Sequence, residues 1–196
     1  PAVNGRTIGA QHNMITIIGI SGSLRKASFN SALLRAAVDV TPAGATLEIA
    51  SIQGIPLYDG DVEASTGIPD VVRDLKDRIA SSGGLLLVTP EYNSSIPGVF
   101  KNAIDWLTRP ASDIARVFNN RPVGLIGATP GRGGTIMAQA AWLPVLRTLG
   151  TRPWFGPRVT VSGAKRVFDE SGQLVDDDVR SQLQTFMTGF VGFIEQ

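Results

Sequence analysis

Nine consecutive residues, Gly22-Ser23-Leu24-Arg25-Lys26-Ala27-Ser28-Phe29-Asn30, gather hydroxyls, an amide and a guanidinium into one short stretch. An apolar, strand-like run, Ile15 to Ile20, leads into it, and a helix-like run, Ala32 to Val38, leads out. A helix start leaves backbone N–H groups without intrahelical partners, and the aligned peptide dipoles make that end partly positive. The spacing therefore predicts a phosphate site, with Ser23, Ser28 and Asn30 as neutral donors and Arg25 as a charged fork. Charge-assisted hydrogen bonds contribute about 1.5–3 kcal/mol each, enough together to hold a small phosphorylated group without a metal. Taken alone, the same residues also read as an ordinary Ser/Asn helix cap beside a solvated arginine.

The spelling narrows which phosphate this is. A Walker loop needs Gly, four residues, then Gly-Lys-Ser/Thr, whereas Lys26 here follows Arg25. A dinucleotide fingerprint needs Gly-x-Gly-x-x-Gly, and Gly19-Ile20-Ser21-Gly22 breaks that spacing at its second glycine. What remains is a turn that meets a terminal monophosphate with side-chain hydroxyls, as flavodoxin-like folds meet the phosphate of FMN at the end of their first strand.

Two further loops belong with it. Pro90-Glu91-Tyr92-Asn93-Ser94-Ser95-Ile96-Pro97-Gly98 is bracketed by prolines that fix φ, so its amides are held in place before any ligand arrives. Backbone groups from Glu91 to Asn93 suit the pyrimidine edge of a flat heterocycle, and Tyr92 offers an aromatic wall. Ala128-Thr129-Pro130-Gly131-Arg132-Gly133-Gly134 has three glycines near Arg132, which permit close backbone approach to a ligand. Amides there can stabilise negative charge on a reduced ring. Each loop in isolation also reads as a rigid or glycine-rich surface turn.

These loops need a scaffold that brings them to one rim. Strand-like runs, Ile15 to Ile20, Thr46 to Ser51, Leu85 to Thr89, Pro122 to Gly127 and Trp154 to Val161, alternate with helical ones. That alternation predicts an α/β, flavodoxin-like three-layer sandwich: a five-stranded parallel sheet with helices on both faces. Ile68, Val71, Val72, Leu75 and Ile79 repeat at helical spacing, with Asp70, Arg73, Asp74 and Asp77 opposite. Phe100, Ala103, Ile104 and Leu107 form a second stripe, and Val179, Leu183, Phe186 and Phe190 a last one, beginning near Asp176 to Asp178. A helix after Gly134 carries Pro144, which predicts a kink or a break. Asp169-Glu170-Ser171-Gly172 reads as the turn of a small hairpin or loop at the sheet edge. In such a sheet the loops leaving the carboxyl ends of the strands share one rim, where ligands settle.

Composition bounds the rest. With 196 residues, 43% of them hydrophobic, the chain predicts one domain over 14–196, preceded by residues 1–13 as a flexible tail or cloning remnant, with Met14 as the natural start. A net charge of +1 argues against a nucleic-acid partner, and the apolar runs are too short for a membrane span. No secretory pattern opens the sequence, which predicts a cytoplasmic location. Cysteine is absent, which excludes disulfides, thiolate metal sites and cysteine nucleophiles. His12 is the single histidine and lies ahead of the first strand, so neither a metal site nor a Ser-His-Asp triad is expected. A cofactor, rather than a side chain, is then expected to carry the reactive atoms.

The phosphate turn, Pro90-Glu91-Tyr92-Asn93 and Pro97-Gly98-Val99-Phe100-Lys101-Asn102-Ala103-Ile104-Asp105-Trp106 together resemble the NADPH-dependent FMN reductase family, which includes quinone, chromate and azo reductases. Phe100 stands where leucine is common in that family. The resemblance implies that Ser23, Arg25, Ser28 and Asn30 hold the FMN phosphate, that Pro90, Glu91, Tyr92 and Asn93 face the ring, and that Thr129, Gly131, Arg132 and Gly133 close its other side. It implies hydride transfer from NADPH or NADH to FMN N5, then two-electron transfer to a small acceptor: a quinone, free flavin, azo compound or chromate-like oxidant. It also implies a homodimer or homotetramer, with Lys101, Asp105, Trp106 and Arg109 as candidate contacts and Arg132 or Arg109 as a candidate partner of the extra NADPH phosphate. The competing expectation is a flavodoxin-like carrier that hands single electrons to a protein.

Overall fold

A computed structural model describes residues 14–196, so His12 and the expected tail over 1–13 lie outside the described residues. β3 (Gly84–Val88) is buried at all five positions. A strand with helices on both faces has this uninterrupted apolar character. β3 pairs in parallel with β1 (Ile15–Ser21) on one side and β4 (Pro122–Ala128) on the other. β2 (Ala45–Ala50) lies outside β1 and β5 (Arg152–Pro153) outside β4, giving the order β2-β1-β3-β4-β5. That is the flavodoxin-like order, whose direction reverses between β1 and β3.

Alternating side chains divide the core into two halves. Ile17, Leu86, Val88 and Ile126 pack against α1 (Phe29–Asp39) and α8 (Asp177–Ile194). Ile18, Ile20, Leu85, Leu87 and Val123 pack against α3 (Asp70–Ala80), α4 (Gly98–Leu107), α5 (Ile114–Phe118) and α6 (Ile136–Thr148). The three apolar stripes read from the sequence all face this core. α2 (Gly60–Thr66) escaped that reading because none of its residues is buried, leaving no stripe to detect.

Of the expected fifth strand, Trp154 to Val161, only the last three residues are strand, and a short strand precedes the run. β5 pairs with the start of β4 and β6 (Val159–Val161) with its end, while residues 154–158 leave the sheet. Pro153 and Pro157 flank the excursion and cannot donate to a ladder. Gly156 folds over the indole of Trp154, where a Cβ would lie 2.0 Å from the ring. Trp154 in turn packs edge-on against Phe186, with ring centroids 4.8 Å apart.

Two further expectations shift. α6 continues through Pro144 without a break. The proline is on the exposed face, where water can hydrate the carbonyl left without a partner. Lys76 belongs to the buried side of α3, only 2% exposed. Its ammonium donates to the Arg109 carbonyl at 2.6 Å and to Asp113 at 2.7 Å, a pairing that a buried charge requires and that fastens the 109–113 segment to α3. After α7 (Ala164–Val167), the expected hairpin is a single bridge, Phe168 with Leu174, closed by Asp169 accepting from the amides of Ser171 and Gln173. No helix among the described residues is long and apolar enough to cross a membrane.

Candidate functional site

The loops after β1, β3 and β4 lie at the carboxyl end of the sheet. The first leaves β1 through Gly22, whose N–H donates to Val88 at 2.9 Å and whose missing side chain is essential, since a Cβ would lie 2.1 Å from the Phe100 ring. Ser23 Oγ then accepts from the Arg25 N–H at 3.3 Å. Ser28 is the N-cap of α1, extended in backbone and accepting from the Ser31 N–H at 3.3 Å. No acidic residue occupies the first turn of α1. The same holds for α4, α5, α6 and α7, whereas α2, α3 and α8 each carry acidic residues there. The start of α1 therefore keeps its positive end uncompensated by its own sequence, with Arg25 exposed beside it and hydroxyls at Ser23 and Ser28. That donor set fits a phosphate monoester.

Asn30 has a structural role as well. Its side chain is buried; Nδ2 donates to the Ala128 carbonyl at 2.8 Å and Oδ1 accepts from the Ala128 N–H at 2.9 Å. The sequence reading assigned this amide to the phosphate because it sits at a helix start. The fold uses it to lock α1 to the end of β4, where a buried peptide group would otherwise lack partners.

The loop after β3 is stiff for a reason beyond its prolines. Tyr92 and Ser95 exchange two backbone hydrogen bonds of 3.1 Å around Asn93 and Ser94, whose φ values of 51° and 61° make a tight turn with both central residues left-handed. Tyr92's own N–H and C=O are consumed there, whereas the amides of Glu91 and Asn93 have no hydrogen-bond acceptor among the described residues. The Tyr92 side chain is 48% exposed. Behind the loop, Trp142 donates to Thr89 Oγ1 at 3.1 Å, and that hydroxyl donates to the Pro90 carbonyl at 2.9 Å.

Glu91 faces away from this opening. Its Oε2 accepts from the N–H groups of Met137 and Ala138, at 2.9 and 3.0 Å, and so caps α6 from another loop. Thr135, the N-cap of α6, makes no side-chain cap hydrogen bond; its Oγ1 accepts from Gln139 Nε2 at 3.1 Å instead. The charge also complements the helix dipole. Glu91→Ala is therefore expected to lower stability by about 1–2 kcal/mol, and Glu91→Gln, which keeps an acceptor, by less. Chemical denaturation of the three proteins without ligand measures both differences.

The loop after β4 is sewn to the next segment. Thr129 donates to Val161 at 2.9 Å, Ala164 donates to Thr129 at 3.0 Å, and Gly163 donates to Gly131 at 2.9 Å. Gly134, at φ 60°, approaches Thr160 so closely that a Cβ would meet its backbone oxygen at 2.9 Å. Gly131, Arg132 and Gly133 are exposed at the tip.

The contact residues expected on α4 and just after it behave differently from one another. Lys101 and Asp105 form an exposed pair at 2.6 Å. Trp106 is fully buried and donates to the Pro56 carbonyl at 2.9 Å, which makes it a core residue and not a surface contact. Arg109 Nε meets both Glu63 oxygens, at 3.0 and 2.8 Å. That guanidinium, followed by the Tyr58 hydroxyl, holds the Glu63 carboxyl below its ordinary range. Arg109 is thus anchored to α2 through Nε. The tether completed by Asn102, which accepts from the Tyr58 N–H and donates to Pro56, had no periodic signal in the sequence.

Similarity to known proteins agrees with this geometry. A family model for NADPH-dependent FMN reductase matches residues 15–166. An NAD(P)H-dependent FMN reductase of Pseudomonas aeruginosa is 44% identical over 170 residues, 87% of this chain and 90% of the relative. A 2-hydroxy-1,4-benzoquinone reductase of a Burkholderia species is 36% identical over 180 residues, 92% of this chain and 96% of the relative. The solved structure of the NAD(P)H:acceptor oxidoreductase FerB from Paracoccus denitrificans superimposes with a TM-score of 0.82 at 34% identity, covering 93% of this chain and 98% of that one. With a parallel sheet in flavodoxin-like order and a hydroxyl- and arginine-bearing turn at its first loop, the chain belongs to the NADPH-dependent FMN reductase family, FMN-dependent NAD(P)H oxidoreductases.

Proposed function

We propose that the rim formed by these three loops seats FMN and that the protein moves reducing equivalents from NAD(P)H to a small acceptor of the quinone class. The observation that carries this reading is the start of α1, which has no carboxylate of its own and is ringed by Ser23, Arg25 and Ser28. In this reading those three residues hold the phosphate, and Asn30 keeps the cradle in register with β4. The amides of Glu91 and Asn93 pair with the polar edge of the ring, Tyr92 walls it, and Thr129, Gly131, Arg132 and Gly133 bound its other side. Bound FMN supplies the redox chemistry, accepting two electrons from a reduced nicotinamide and passing them on. The protein's part is orientation: a preset turn at 92–95 and a loop after β4 fixed by its bonds to the 161–164 segment reduce the motion lost on binding. No side chain here is assigned as an acid or base, since Glu91, the carboxylate of these loops, is engaged by α6.

A cytoplasmic location and a homodimer or homotetramer, with Lys101 and Asp105 among the exposed groups able to contribute to a contact, complete the reading. The test is anaerobic. FMN-loaded protein mixed with NADPH should lose its visible flavin absorbance and regain it on addition of a benzoquinone. Absorbance unchanged by both NADPH and NADH overturns the reading in favour of a carrier that needs a protein donor.

A further inference from the structure

Pro90 is buried just beyond β3, and its carbonyl is answered by the residue before it: Thr89 Oγ1 donates to it at 2.9 Å. The direction of that hydroxyl is fixed from behind. Trp142 Nε1 lies 3.1 Å from Thr89 Oγ1, and an indole nitrogen can only donate, so Oγ1 accepts there and its own proton is left for Pro90. Thr89 and Trp142 are both fully buried, which shields this chain of donors from competing water. The carbonyl that receives it belongs to the same planar peptide unit as the Glu91 N–H, an amide without an acceptor among the described residues. A hydrogen bond at one end of a peptide group fixes its plane and polarises the other end, so the Glu91 N–H is held in one direction and made a stronger donor.

Two helices hold this arrangement. Glu91 Oε2 takes the Met137 and Ala138 N–H groups at the start of α6, while Trp142, further along the same helix, supports Thr89, so α6 grips the residues on either side of Pro90. Phe100 of α4 meets the Trp142 indole edge-on, with ring centroids 5.0 Å apart, and keeps it from turning. The same Phe100 ring lies against Gly22, the first residue of the turn after β1. One aromatic pair thus sets both the turn after β1 and the peptide after β3. The turn at 92–95 is closed by its own two backbone bonds, so what the donor chain fixes is the peptide at 90–91.

Resting on the FMN reading above, we infer that Thr89 is a positioning residue: its hydroxyl, aimed by Trp142, presents the Glu91 N–H to the polar edge of the flavin ring and favours the reduced form of the cofactor. Electron density on that edge rises on reduction, so a donor set there in advance binds reduced FMN more tightly than oxidised FMN. Thr89→Val keeps the shape of the side chain and removes the middle link. In that variant the ratio of reduced to oxidised FMN affinity should fall about fivefold, the size of one hydrogen bond, which for a two-electron couple is a midpoint potential about 20 mV more negative. Anaerobic titration of the FMN-loaded protein against a reference dye reads it. Thr89→Ser, which restores the hydroxyl, should return the ratio to within about twofold of the parent. Trp142→Phe should shift the potential the same way by less, since the hydroxyl keeps its acceptor but loses its fixed aim. A parental potential in Thr89→Val, or an equal shift in Thr89→Ser, overturns this inference alone. Should the valine variant fail to fold, Trp142→Phe decides: a smaller negative shift supports the inference and a parental potential overturns it. Failure of the parent to take up FMN overturns the reading beneath it as well.

Discussion

Asn30→Ala should lower the unfolding free energy by about 2–5 kcal/mol in the absence of any ligand, because it strips two buried backbone groups of their partners at once. The Ala128 N–H and C=O lie at the end of β4, where the Asn30 amide answers both at 2.9 and 2.8 Å. Each buried group left unsatisfied costs about 1–3 kcal/mol. Asn30→Asp should be worse than alanine. It sets a carboxylate oxygen against the Ala128 carbonyl in a buried site with no cation among its hydrogen-bond partners. Guanidinium unfolding of the ligand-free proteins measures both. A phosphate-binding asparagine would behave otherwise, changing only the extra stability that added FMN confers. Ligand-free stability within 0.5 kcal/mol of the parent, taken as about the size of an ordinary surface substitution, would remove the locking role assigned to Asn30.

That contrast shows where the sequence is legible. β3 could be read as a central strand because burial on both faces demands an unbroken apolar run, and Gly84–Val88 has one. α3 and α8 were legible through their stripes, and the phosphate turn through its hydroxyls between a strand and a helix. What could not be read is the direction in which a polar side chain turns. Asn30 and Glu91 sit in loop and helix-start stretches at the rim, yet both side chains satisfy peptide groups distant in sequence, 98 and 46 or 47 residues away. Long-range partners of this kind leave no periodic trace. Lys76 is the same case in reverse: its charge type predicts solvent, but Asp113 and the Arg109 carbonyl, distant in sequence, make burial tolerable. The split of the fifth strand was partly visible, since Pro153 and Pro157 are poor ladder residues, but the Gly156 fold over Trp154 depends on Phe186 beneath it.

Arg25→Ala is the substitution expected to weaken FMN most, by about 10- to 100-fold, while leaving riboflavin binding unchanged. The argument separates charge from scaffold. Arg25 is exposed and its side chain makes no hydrogen bond among the described residues, so its removal disturbs no packing; only its backbone N–H is engaged, by Ser23 Oγ. Its contribution is then confined to the ligand's phosphate, where a charge-assisted bond contributes about 1.5–3 kcal/mol and each 1.4 kcal/mol is tenfold in affinity. Arg25→Lys should fall between the two, since an ammonium keeps the charge but loses the fork that matches two phosphate oxygens. Ligand-free stability should stay within about 0.5 kcal/mol of the parent in both variants, as expected of a surface change. Fluorescence titrations with FMN and riboflavin, run at two salt concentrations, test each step. The FMN deficit should narrow as salt rises, because part of Arg25's contribution is electrostatic attraction across solvent. If riboflavin and FMN weaken by the same factor, Arg25 acts on the ring or on the shape of the turn, and the assignment of the 22–28 turn to the phosphate fails.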